Sequence, residues 1–354
     1  MKGFTLRTVP FTLELRHRFT LASSSRTTTP TLLVELERDG IVGYGEAAMP
    51  PYLGETHASA AAFLHGLDLP ELGDDPFAMQ DVLRAVDAIA PGNPAAKAAF
   101  DLALHDWVGK AFGQPWYRLL GIDPGNAPPT SYTIGIHPPD VVQRIAQEHD
   151  GAFAAFKLKL GGDHDRQMVE ALRAVTATPL RVDVNQGWTD RVRALDEIGW
   201  LHERGVEFVE QPMPKERLDD LAWLCARSPL PIIGDEGVQR LADVPKAVGV
   251  YHAVNVKLMK CTGMREARAM LELARALGLR TMLGCMTETS CAISAGAQLA
   301  PLCDWVDLDG ALLVANDPFE GAALAADGRV VPRDLPGLGV RLASRDGLGS
   351  IAPQ

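Results

Sequence analysis

The chain has 354 residues, 47% hydrophobic and 22% charged, an ordinary globular composition that suits two domains of ~150 residues or one large one. Thirty-four Lys and Arg against forty-five Asp and Glu leave a formal charge of −11, which makes nucleic acid and anionic membrane poor partners. No apolar run reaches the ~18 residues of a membrane span, Arg7, Glu14, Arg16 and Arg18 break any signal-peptide core, and five cysteines without a C-x-x-C pair exclude a disulfide framework. A reducing cytoplasm is the expected location.

Residues 1 to about 125 read as mixed α and β. Thr31–Glu37 is a strand, Asp39-Gly40 a hairpin turn and Ile41–Glu46 its return. Helical patterns follow at about 57–66, 76–90 and 94–112. In the last, Phe100, Ala103, Leu104, Trp107, Val108 and Ala111 fall on one stripe expected to be buried. Pro124–Pro129 reads as a linker.

Beyond it, short β-rich runs recur: Ser131–Ile136, Phe153–Leu160, Leu180–Val184, Val206–Val209, Pro231–Gly234, Ala253–Leu258, Arg280–Leu283 and Trp305–Leu308. Their starts are 22 to 27 residues apart, and most are followed by a helical pattern. Eight such units suit an α/β barrel of parallel strands, with a doubly wound sheet left open by spacing alone.

Charge collects at the ends of these runs. The second carries Lys157 and Lys159 on one face, and the third to fifth end at Asp183, Glu210 and Asp235. The sixth ends at Lys257, and the eighth carries Asp307 and Asp309. A single Asp after a strand is most often a cap, but three carboxylates on consecutive strands flanked by lysines form a set. Three monodentate carboxylates make the hard oxygen site that Mg²⁺ prefers, and no His or Cys is present there for zinc. Such an ion can take a substrate carboxylate and stabilise the enediolate left when the adjacent C–H proton departs. A proton leaving to one lysine and returning from another would invert the carbon. Lys157 is expected to lower the pKa of its neighbour by like-charge repulsion. A purely structural ion network is the plainer alternative.

These residues resemble the enolase superfamily in its muconate lactonizing enzyme subgroup. The likeness runs through Gly43-Tyr44-Gly45-Glu46-Ala47, Ala99–Asp106, Lys157/Lys159, Asp183-Val184-Asn185, Glu210-Gln211-Pro212, Asp235-Glu236 and Asn255–Lys260. It implies a modified TIM barrel, (β/α)7β, over residues 126–312, an α+β capping domain over 1–125, and a segment 313–354 returning to the cap. It also implies Asp183, Glu210 and Asp235 as ligands of Mg²⁺, Lys159 and Lys257 as acid/base catalysts, and Lys157 as the helper of Lys159. Lys260 rivals Lys257, but Lys257 shares a face with Asn255 at the strand end.

Asp307 and Asp309 resemble the pair that binds the free amino group in dipeptide epimerases, and Gly284–Thr289, with Met286 and Thr287, resembles their seventh-strand segment. Arg26, in the polar loop Thr20–Pro30, is the candidate receiver for a glutamate side chain. That loop and Met49–His57 are expected to cover the barrel mouth. The resemblance therefore implies an isomerase acting on a small molecule, a dipeptide of the L-Ala-D/L-Xaa type with L-Ala-D/L-Glu among the candidates. A homo-oligomer is expected. The alternatives are N-acylamino-acid racemase, o-succinylbenzoate synthase, muconate cycloisomerase, or a catalytically silent binding protein on the same scaffold.

Overall fold

The computed structural model describes residues 1–21 and 24–343. Its first elements are three antiparallel strands, β1 (Thr5–Thr20), β2 (Ser25–Arg38) and β3 (Ile41–Ala48). Asp39 and Gly40 both take positive φ, 55° and 76°, the twist-matched turn that sets Arg38 opposite Ile41. The β1–β2 hairpin is longer than the sequence reading of Thr20–Pro30 as a loop. Past an irregularity between Glu14 and Phe19, Phe19 pairs with Arg26 and Thr20 with Ser25. The β-branched Thr27, Thr28 and Thr29 favour extended backbone, so from Ser25 onward the segment is strand. Of that segment, Ala22 and Ser23 lie outside the described residues.

Three helices follow as expected, α1 (His57–His65), α2 (Met79–Ile89) and α3 (Pro94–Ala111). The single stripe expected on α3 is corrected, because every residue from Ala95 to Gly109 is buried. β2, β3 and α1 pack around the helix, and its polar residues are spent on backbone groups. Asp106 accepts from Tyr44 N–H at 2.9 Å and Leu338 N–H at 2.8 Å, while Lys110 neutralises it at 2.6 Å. Glycine lets the sheet reach the helix backbone: a Cβ on Gly43 would lie 2.1 Å from the Ala103 carbonyl, and one on Gly45 2.0 Å from that of Ala99.

After the short α4 (Trp116–Leu119), the chain builds a second sheet. Its strands are β4 (Ser131–Ile134), β5 (Ala155–Lys159), β6 (Leu180–Asp183), β7 (Val206–Glu210), β8 (Ile232–Gly234), β9 (Ala253–Lys257), β10 (Arg280–Gly284) and β11 (Trp305–Asp307). They lie side by side in chain order, all parallel. The crossovers are α5 (Pro139–His149), α6 (Asp165–Arg173), α7 (Arg191–His202), α8 (Leu218–Cys225), α9 (Met264–Ala276) and α10 (Ser290–Leu299). Only a 3-10 segment, Leu241–Ala247, follows β8, where Pro245 withholds an N–H from a longer helix.

β11 returns to β4 through a parallel bridge between Thr130 and Val306, and Ser131 Oγ donates to Asp307 at 2.7 Å. The eight strands therefore form a nearly closed barrel rather than an open doubly wound sheet. Among the described residues no α-helix follows β11. The chain instead runs back along β1, with Ala315 N–H donating to Glu14 at 2.8 Å, and Phe319 packs edge-on against Tyr44 at 5.4 Å. Of the returning segment 313–354, residues 344–354 lie outside the described residues. Among the described residues no helix is long and apolar enough to cross a membrane.

Candidate active site

One device delivers each charged group: a parallel strand ends, and its last residues meet those of its neighbours at the C-terminal mouth. The ladder register sets Lys159 beside Asp183 and Asp183 beside Glu210, while Gly284 of β10 stands between Lys257 and Asp307. Carboxylate oxygens of Asp183, Glu210 and Asp235 all lie within 4.8 Å of one another, and all three residues are buried. Lysines flank the trio. Lys159 Nζ is 2.6 Å from Asp183 and Lys257 Nζ 2.8 Å from Asp235. Lys157 pairs with Asp307 at 2.6 Å, Glu210 at 2.7 Å and Asp183 at 3.3 Å.

Lys260 is a different kind of lysine. Its ammonium donates to the Asp235 carboxylate at 2.6 Å and to the carbonyls of Asp235, Val238 and Asn255 at 2.7, 3.0 and 2.8 Å. All its hydrogens have protein acceptors, and it does not line the central cavity, whereas Lys257 does.

Negative charge is in excess here. Asp183, Glu210, Asp235, Glu236, Asp307 and Asp309 face Lys157, Lys159, Lys257 and Lys260, two ammonium groups too few. Burial first, then the neighbouring carboxylates, push Glu210 and Glu236 up to about 7. Asp235 goes the other way: burial opposes its charge, but Lys257 and Lys260 outweigh that and hold it well below the usual carboxylate range. Lys157 and Lys257 are governed by the carboxylates around them. Burial opposes their charge, yet Asp307, Glu210 and Asp183 around Lys157, and Asp235 beside Lys257, raise both well above the ordinary value.

The residues fit a divalent cation. Besides the two missing charges, Glu236 Oε2, Asn185 Oδ1 and Asn255 Oδ1 are buried oxygens without a hydrogen-bond partner among the described residues, and Glu210 Oε2 has only the Lys157 ammonium. An all-oxygen donor set of this kind suits Mg²⁺ better than zinc.

Over this arc opens a cavity of about 370 Å³. Lys157, Lys159, Lys257 and Asp235 line it from below, and Asp307, Asp309, Met286 and Thr287 from one side. Arg26 and Phe19 reach it from the β1–β2 hairpin, and Tyr52 from the stretch Met49–His57. The two aspartates differ. Asp307 accepts from Ser131 and Lys157, and although burial disfavours its charge, Lys157 brings it down to about 2. Asp309 accepts from Thr133 N–H at 2.6 Å, and burial, then Asp307, lift it to about 7.

The family comparison decides between these features and a chance assembly. A family model described as mandelate racemase/muconate lactonizing enzyme, N-terminal domain, matches residues 4–121, and one described as enolase C-terminal domain-like matches residues 140–346. The chain belongs to the enolase superfamily. It is 54% identical to an L-Ala-D/L-Glu epimerase of Bacteroides thetaiotaomicron, over 94% of this chain and 86% of the relative. Among solved structures, a dipeptide epimerase of Enterococcus faecalis in complex with Mg and L-Leu-L-Tyr is 31% identical with a TM-score of 0.88, covering 96% of this chain and 99% of that one. An N-succinyl Arg/Lys racemase of Bacillus cereus is 29% identical with a TM-score of 0.91, covering 99% and 98%. This superfamily member is an isomerase of the racemase and epimerase kind.

Of the site residues named in the sequence, Asp183, Glu210 and Asp235 form the arc, and Lys157, Lys159, Lys257, Asp307, Asp309, Arg26, Met286 and Thr287 line this cavity, whereas Lys260 does not. The enolase-superfamily chain adds Asn185, Glu236, Thr133, Tyr52 and Phe19 to the lining. Asn185 and Glu236 each sit in a quoted motif, bonded to one another at 3.2 Å. Ser131 and Thr133 carried a faint signal, two hydroxyls at period two in an otherwise apolar strand.

Proposed function

We propose that the protein is a Mg²⁺-dependent dipeptide epimerase of the L-Ala-D/L-Glu type, inverting the α-carbon of the C-terminal residue. One observation carries this reading: the three-carboxylate arc, with a lysine at each end, opens into the same cavity as Asp307 and Asp309. Strands β6, β7 and β8 separate the strands of Lys159 and Lys257, so the two amines approach from opposite sides of the arc. In this reading one lysine accepts the α-proton, and the other donates a proton to the opposite face, a 1,1-transfer. Asp183, Glu210 and Asp235 would hold Mg²⁺, which supplies Lewis-acid stabilisation of the charge that develops on the substrate carboxylate and competes with the lysines for these acids. Lys157, tied to Asp307 and Glu210, positions a carboxylate between the arc and the amine-binding side.

Asp309 and Asp307 receive the free α-ammonium of the dipeptide, a group an N-acyl substrate lacks. Arg26, from the hairpin, receives an acidic side chain. The 54% identity to an enzyme named for L-Ala-D/L-Glu supports that choice. The division into cap (1–125), barrel (126–312) and returning segment (313–354) belongs to the same proposal, as does a cytoplasmic site of action, which the five free cysteines suit.

The test is incubation with Mg²⁺ and a dipeptide set in D₂O, read by mass spectrometry. L-Ala-L-Glu is expected to gain one mass unit at the α-carbon of its C-terminal residue and to epimerise. Exchange only with N-succinylamino acids would instead favour the racemase reading, which the Bacillus cereus structure supports.

A further inference from the structure

The Arg26 guanidinium is half-buried, and among the described residues no carboxylate pairs with it. Neutral groups alone hold it. Its Nε donates to Thr29 Oγ1 at 3.1 Å, its Nη2 to Thr287 Oγ1 at 3.4 Å, and the two hydroxyls lie 2.8 Å apart. Phe19, its cross-strand neighbour, lies 5.3 Å from the guanidinium carbon. Arg26 and Thr287 line the cavity, but Thr29 is 1% exposed and does not.

Hydrogen accounting gives this triangle a direction. Thr29 Oγ1 uses a lone pair on Arg26, and among the described residues its only other hydrogen-bond partner is Thr287, so its hydrogen goes there. Thr287 Oγ1 thus accepts twice, and its own hydrogen has no acceptor in the triangle. The guanidinium and the Thr287 hydroxyl are thereby both left as donors at the cavity wall, aimed by a residue behind it. Two converging donors, one of them a cation without a counter-charge, suit a carboxylate.

We propose that Thr29 is a positioning residue for side-chain selectivity, setting Arg26 and Thr287 as a two-point receiver for an acidic side chain on the residue being inverted. This rests on the dipeptide epimerase reading, with Arg26 at the substrate side chain. Thr29 acts through the other two residues and touches no reacting atom.

Steady-state kinetics of the Mg²⁺-loaded enzyme with L-Ala-L-Glu and its neutral isostere L-Ala-L-Gln test this. Thr29→Val keeps the shape and removes the hydroxyl. It is expected to raise KM for L-Ala-L-Glu about tenfold, the worth of one hydrogen bond to a charged group, with kcat and the L-Ala-L-Gln constants within about twofold. Thr29→Ser is expected to restore the wild-type ratio. If Thr29→Val does not fold, Thr29→Ala carries the same expectation. Arg26→Met separates the layers. If it abolishes the preference for Glu over Gln while Thr29→Val and Thr29→Ala leave the ratio unchanged, or slow both substrates equally, the positioning role is overturned and the receiver stands. If Arg26→Met leaves the ratio unchanged, or wild type turns over L-Ala-L-Gln but not L-Ala-L-Glu, receiver and positioning role fall together.

Discussion

The arc of β5 to β9 and the tip of the β1–β2 hairpin meet in one cavity but are held by opposite means. In the arc, buried ions sit at the ends of consecutive strands of a single parallel sheet, with Lys159, Asp183 and Glu210 placed by the ladder register and Asp235 one residue past its strand. At the hairpin tip a half-buried arginine rests on two threonine hydroxyls and a phenyl ring, on an element from the other end of the chain. Charges packed within a coordination sphere repel unless the backbone forces them together, so the chemistry needs the stiff element. Selectivity needs only aim, which neutral hydrogen bonds provide. The two can therefore be changed separately.

Removing a charge from the arc tests this contrast most severely. Asp183→Asn is expected to reduce solvent-deuterium exchange about a thousandfold or more and to weaken Mg²⁺ binding in calorimetry, with the fold intact by circular dichroism. A loss below tenfold would mean that the arc is no more than a structural ion network.

Where the two regions join, pH becomes the probe. Glu46 of β3 accepts from Thr31 Oγ1 at 3.0 Å and from Thr289 N–H at 3.0 Å, tying the cap to the loop after β10. Burial lifts its carboxyl from 4.5 to about 7, so the folded protein keeps a proton that the unfolded chain releases between those values. Its contribution to stability is complete below pH 4.5 and is lost as pH rises through about 7, on the order of 3 kcal/mol. Glu46→Gln is expected to flatten that part of the pH dependence in urea melts; an unchanged slope would show that the joint titrates elsewhere.

Next comes the side wall. Asp309→Asn is expected to lower kcat/KM for dipeptides about a hundredfold while changing turnover of an N-succinylamino acid less than threefold, since only the dipeptide carries an ammonium there. Equal losses on both would place Asp309 in the arc's machinery instead. Tyr52 gives the mildest probe. Among the described residues its hydroxyl makes one long contact, 3.5 Å to Met286 Sδ, so Tyr52→Phe should shift KM less than about threefold.

The same contrast explains what could be read from the sequence. The barrel strands were legible because each is an apolar run closed by turn residues, and the arc because a charge at the end of such a run is conspicuous. Asp183, Glu210 and Asp235 come together within 4.8 Å as that pattern required. The hairpin tip was not legible, since Ser25–Thr31 has no apolar alternation and its β structure comes from pairing with β1. Nor was the full burial of α3: Lys97, Asp101, His105 and Asp106 look solvent-facing until their partners appear, such as Met264 N–H on Asp101 at 2.7 Å. The surroundings of Lys157 were not legible for a third reason. Adjacent lysines repel, but Lys157 has three carboxylates within 3.3 Å, and that count is a property of the fold rather than of the neighbouring residue.

Gly45 sits one residue before Glu46, with no room for a methyl group between β3 and the Ala99 carbonyl. Sheet and helix are spaced there by bare main chain, so a side chain at this point acts as a shim. The added thickness would tilt β3, and Glu46 would carry the tilt to Thr289, three residues from Met286 in the cavity wall. The bore of the pocket is thus gauged from a point that no substrate approaches.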